Sequence, residues 1–291
     1  MQSLPLILSL VVAALAVPAL VRALRDQGFV TTNYRGAPLP FPTGMAIPVA
    51  AMLALVPLTL VQELGDVTVF RAGAYPAVTY VLGVALLGLI DDFVGSGLFS
   101  ALRLERPGEA DAPRGWRGHG REILGGGFST GAAKAAGSLG LALFALSGQD
   151  RSTTGYLVGV GVLVLATNLF NLLDLRPGRS AKVLILLGAA LSLGAWDAAG
   201  LWTVGLFIGP ILVLIPFDLR ERGMLGDTGS NAIGAVAGLW LAATLSTTGQ
   251  AIALAVMAVV TVYGEFRSIS ALIERTPGLR QLDSLGRIQH A

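Results

Sequence analysis

The chain has 291 residues, 54% of them hydrophobic and only 13% charged, with a mean hydropathy of +0.71 and a formal charge of +2. A soluble domain carries roughly a quarter charged residues, so water is excluded as the main solvent of this chain. It has no cysteine, which excludes disulfides, thiol catalysis and thiolate metal sites.

Hydrophobic segments near the ~20 residues needed to cross a bilayer recur along the whole length. Nine are recognised, at about 3–21, 45–62, 76–90, 131–147, 154–173, 182–196, 199–217, 229–247 and 250–264. Backbone amides in lipid must be bonded within their own segment, so each is predicted to be a helix, with the shorter ones continuing into polar residues at one end. The expected fold class is all-α: a single membrane domain over residues 1–291, a polytopic integral membrane helical bundle of about nine transmembrane helices (eight to ten).

The first segment ends like a signal peptide at 15–23. However, no basic residue precedes its apolar run, while Arg22, Arg25 and Arg35 follow it, which fits an outside-to-inside helix. The same asymmetry continues loop by loop, and of the twenty basic residues only Arg71 and Arg151 fall in the alternate loops. The loops at about 22–44, 91–130, 174–182, 218–228 and 265–291 are therefore expected in the cytoplasm. That makes a multi-pass protein of the cell membrane with its N-terminus outside and its C-terminus cytoplasmic. Its positive charge then faces anionic lipid or a polyanionic small molecule, and no nucleic-acid partner is expected.

In chain order, the first loop holds NYRGAPLPFPTG (33–44), a Pro/Gly-rich turn with Arg35 that by itself reads as a helix connector. The third segment closes in GLIDDFVG (88–95). Adjacent Asp91 and Asp92 repel each other at a membrane helix end, so they are suited to holding Mg²⁺ or accepting a proton. The polar stretch 103–127 reads as partly disordered. Lys134 follows it, either as a snorkelling lysine or as a phosphate partner.

The fifth segment ends in NLFNLLDLRPGR (168–179). Asn168, Asn171 and Asp174 span an arc of about 120° on one helix face, which must point into the bundle. Arg176, Arg179 and Lys182 add donors suited to phosphate oxygens; the bland alternative is a polar helix contact followed by ordinary basic flanks. GDTGSN (226–231) precedes the eighth segment, with Asp227 placed to bind a cation, although alone it could be a capped turn. No tenth span follows residue 265, and 268–286 reads as a polar or interfacial tail.

Taken in order, the Asp-Asp pair, the Asn-x-x-Asn-x-x-Asp run, the Gly-Asp-x-Gly-Ser turn and a looser first-loop stretch (36–44) resemble the polyprenyl-phosphate N-acetylhexosamine-1-phosphate transferase family. These are the MraY and WecA type enzymes of cell wall biogenesis, of the glycosyltransferase 4 type. The resemblance covers residues from about 20 to 265. It implies a Mg²⁺-dependent phosphotransferase, with Mn²⁺ as an alternative ion. Such an enzyme moves a sugar 1-phosphate from a nucleotide-diphosphate sugar of the UDP-N-acetylhexosamine kind to polyprenyl phosphate and releases the nucleoside monophosphate. By position it implies Asp91, Asp92 and Asp227 as catalytic residues, with Asp227 and Asp91 at the metal. Asn168, Asn171, Asp174, Arg176, Lys134 and Arg35 are then on the substrate side, and a homodimer is compatible with it.

Two departures are on the page. The family continues Asp-Gly-x-Asp-Gly where this chain reads DLRPG (174–178), and its last-loop histidine has no counterpart, the only histidines being His119 and His290. Two other readings follow: a non-catalytic homologue that binds or scaffolds, and a transporter with a carboxylate proton relay.

Overall fold

A computed structural model describes residues 2–70, 73–95 and 130–288. Arg71, His290 and most of the second long loop, with Arg103, Arg106, Arg114, Arg117, His119 and Arg121, lie outside the described residues.

Each of the nine hydrophobic segments coincides with a helix. They are α1 (Leu4–Asp26), α2 (Ala46–Gly65), α3 (Ala74–Gly95), α4 (Thr130–Leu146), α5 (Thr153–Leu173), α6 (Arg179–Ala195), α7 (Ala199–Leu219), α8 (Gly226–Thr244) and α9 (Thr247–Phe266). Among the described residues six spans are long and apolar enough to cross a membrane: α1, the one running Thr43–Gly65 through α2, then α3, α5, α7 and α9. The protein is an all-α, multi-pass membrane bundle. Exposed leucines, valines and isoleucines such as Leu15, Val56, Leu86, Ile252 and Val259 stud its outside, where lipid satisfies them.

Helix α8 forms the axis and packs on α3, α5, α6 and α7. Small residues make this close contact feasible. A methyl on Gly234 would meet the Thr167 Cα of α5 at 2.7 Å, and one on Gly88 of α3 would meet the Asp227 carbonyl oxygen at 2.5 Å. The helix begins three residues earlier than its hydrophobic segment, so Asp227 and Thr228 lie in its first turn and not before it. Helix α3 runs past Asp91 and Asp92 as polar extension of an apolar span predicts.

The first loop does more than connect. Strands β1 (Val30–Thr32) and β2 (Pro38–Pro40) pair antiparallel, and the Asn33 Oδ1 accepts from the amides of Arg35 and Ala37 to close the turn. The hairpin is stitched to the segment before α8: Met224 N donates to Pro40 O at 2.8 Å, and Thr43 and Gly44 amides donate to Met224 O and Leu225 O. Beyond α9, the tail forms two short helices, α10 (Ile269–Arg275) and α11 (Pro277–Ser284).

Candidate functional site

The end of the bundle that holds the described basic loops also gathers the carboxylates. Lys134, in the second turn of α4, places its Nζ 2.9 Å from Asp91 Oδ2 and 2.5 Å from Asp227 Oδ2. One ammonium thus joins α3 to α8 through α4. Asn171 Nδ2 donates to the same Asp227 oxygen at 3.3 Å, and Ser230 Oγ donates to Asn171 Oδ1 at 3.0 Å. Asn171 and Ser230 therefore fix where the Asp227 carboxylate points.

Asp91 and Asp92 are neighbours in sequence but have different surroundings, because successive residues on a helix are turned by about 100°. Asp92 is 5% exposed, and its oxygens accept from the amides of Asp227 (2.7 Å) and Thr228 (2.8 Å) and from the Thr228 hydroxyl (2.5 Å). It satisfies amides that the first turn of α8 would otherwise leave open, in the manner of an N-cap supplied from another helix. Gly226 turns the chain into that helix at φ +74°, and a Cβ there would press on the Asp92 carboxylate at 2.8 Å.

Asp174 ends α5 beside them. Burial first, and then the carboxylates of Asp218, Asp227 and Asp92, push its carboxyl well above the ordinary carboxylate value, against the pull of Arg179. Asp91, Asp92, Asp174, Asp218 and Asp227 therefore share one electrostatic neighbourhood with Lys134. Asn168 is half-buried one turn before Asn171 and joins none of these hydrogen bonds among the described residues.

The other basic side chains expected on the substrate side are engaged with groups of the chain itself. Arg35, on the hairpin, pairs with Glu221, which also accepts from Asn33 Nδ2. Arg176 reaches Glu274 of α10 and lies over the Tyr34 ring at 4.1 Å. Arg179, 3% exposed, grips both oxygens of Asp283 in α11 and donates to the Ser270 hydroxyl. Lys182 Nζ donates to the Asp283 carbonyl, and Arg287 bonds both Asp283 and the Pro177 carbonyl. Burial alone would raise the Asp283 carboxyl, but hydrogen bonds and charge from Arg179 and Arg287 outweigh it and hold it below the ordinary value.

Two residues here went unread in the sequence. Asp218 is buried near the end of α7 and accepts the Gly178 amide at 2.6 Å; a carboxylate closing an apolar helix was the available signal. Asn231 was passed over as the end of a glycine-rich motif.

Among the described residues no group of three or more histidine, aspartate or glutamate side chains is gathered to hold a metal ion. The donor set still fits Mg²⁺, which is commonly bound by one or two carboxylates with substrate phosphates and water completing the shell. Asp91 and Asp227 already share a cation, the Lys134 ammonium. No protein-family model matches the chain, and no curated protein matches it.

Proposed function

We propose that this protein transfers a sugar 1-phosphate from a nucleotide-diphosphate sugar to a polyprenyl phosphate at the cytoplasmic face of the cell membrane, releasing the nucleoside monophosphate. The observation that carries the reading is the meeting of Asp91 and Asp227 on one cation at the basic end of a membrane bundle. A lipid phosphate and a water-soluble diphosphate meet only at such a boundary. On this reading nine helices span the bilayer, and the basic loops and the C-terminus are cytoplasmic.

Mg²⁺, when bound, supplies charge neutralisation at the diphosphate. Asp91 and Asp227 hold it, and Asn171, itself fixed by Ser230, orients Asp227. Lys134 offers three donors, enough to hold a carboxylate and a phosphate oxygen together. Asp92 takes a positioning role, since its oxygens are engaged in starting α8. Asp174, whose carboxyl favours its proton, suits a group that binds or exchanges a proton with a phosphate or hydroxyl.

A second reading, a non-catalytic homologue, is favoured by one observation: Arg35 and Arg176 face Glu221 and Glu274. The deciding experiment incubates purified protein with polyprenyl phosphate, Mg²⁺ and a panel of nucleotide sugars. Nucleoside monophosphate and lipid-linked sugar phosphate are the expected products. Saturable binding of a nucleotide sugar with no turnover across the panel would move the protein to the second reading.

A further inference from the structure

Asn231 is 1% exposed, and neither Nδ2 nor Oδ1 of its carboxamide has a hydrogen-bond partner among the described residues. Such a group is costly to bury, and an apolar side chain of similar size would be free of that cost. Its position is set by its neighbours on α8. Residues four apart stack on one helix face with Cβ atoms about 5–6 Å apart, which puts Asn231 one turn beneath Asp227. Ser230 and Gly234 face α5, through Asn171 and through Ala166 and Thr167, while the Asp227 backbone abuts Gly88 of α3. Asn231 therefore lies in the crevice between α3 and α5, under the group formed by Asp91, Lys134 and Asp227.

We infer that Asn231 holds, through one bound water, the divalent cation taken by Asp91 and Asp227. The inference rests on the function proposed above. Water on a divalent cation keeps both protons and can only donate, so it needs an acceptor behind it, which a carboxamide oxygen provides and a lysine or arginine does not. Mg²⁺ retains several waters when two carboxylates bind it, and residues that orient those waters typically govern affinity by about 10- to 100-fold. The exposed rim of the site can draw such acceptors from solvent. The floor cannot, and Asn231 supplies a buried carboxamide there that has no partner among the described residues.

The test is a titration of the purified full chain with Mn²⁺ alone, followed by electron paramagnetic resonance, with melting temperature read alongside. Wild type should bind one ion, and Asp227→Asn should lose it. Asn231→Leu should weaken binding about tenfold while its melting temperature without the ion stays level or rises. Asn231→Asp should bind more tightly than wild type, because a carboxylate accepts the same proton and adds charge. Unchanged Mn²⁺ affinity in Asn231→Leu overturns the inference. So does an Asn231→Asp protein that binds no more tightly than wild type, which decides the matter alone if the leucine variant does not fold. If wild type takes up no Mn²⁺, or Asp227→Asn takes it up equally, the inference and the site beneath it both fall.

Discussion

Around Asp227 the described side chains bring together Asp91, Asp92 and Asp174 with a single ammonium, Lys134. Around Asp283 they bring Arg179, Arg287 and Lys182 to one carboxylate and its own backbone carbonyl. The second cluster is closed in that its donors are used: the Arg179 fork on Asp283 and Ser270, and Arg287 on Asp283 and the Pro177 carbonyl. Among the described residues the first sets several carboxyls around one shared ammonium. Donors used up within the chain read as structure, here a clasp that fastens the tail to α6. Carboxyls crowded around one shared ammonium read as a place for a cation.

The largest expected effect tests the open cluster. Asp227→Asn keeps the shape of the side chain and removes its charge; nucleoside monophosphate release should fall on the order of 10²-fold or more, with part of the loss recovered in excess Mg²⁺. Full activity at limiting Mg²⁺ would take Asp227 out of the metal site. The melting temperature of this variant should hold or rise, since one of several crowded charges is gone.

The clasp should respond in the opposite way. Asp283→Ala leaves Arg179 buried without its carboxylate partner, which should cost about 3–5 kcal/mol of stability, read as a lower melting temperature in detergent and as faster proteolysis of the tail. Turnover per folded molecule should change little. A large loss of turnover at unchanged stability would mean that the tail belongs to the site.

Acid gives the smallest and most diagnostic difference, because the two carboxyls are shifted in opposite senses. Asp283 is held below its unfolded value, so its contribution is complete above about pH 4 and is lost as pH falls through the lower folded value. Asp174 is held above its unfolded value, so its contribution is complete below about pH 4 and is lost as pH rises through the folded value. As pH rises, the melting temperature of Asp283→Ala should fall below wild type up to about pH 4, and that of Asp174→Asn should rise above wild type beyond about pH 4, so the two variants depart from it in opposite directions. Parallel curves would break the contrast between the clusters.

The helices were legible in the sequence because lipid leaves the backbone one solution, and an apolar run of the right length states it. The carboxylates of the site were legible as well, since charge at the end of such a run is conspicuous. Their division of labour was not. Whether Asp91 or Asp92 turns toward Lys134 depends on which helix stands on each side of α3, a tertiary fact. Arg35 and Arg176 both stood on the substrate side by resemblance, yet each meets a glutamate far away in sequence, Glu221 and Glu274. The hairpin at 30–40 was hidden because three-residue strands rich in proline carry little periodicity.

The glycine contacts of α8 have a consequence for motion. Gly88 meets the backbone of Asp227, and Gly229 meets that of Gly44, so α8 rests against stops made of main chain, which cannot rearrange as side chains do. Asp227 is the stationary jaw of the site. Lys134 is the movable one, four methylenes long and mounted on α4, which packs on α3 and α5. Exchanging the lysine for another cation then requires only the rotation of one side chain, on a timescale of about nanoseconds, while every helix stays in register.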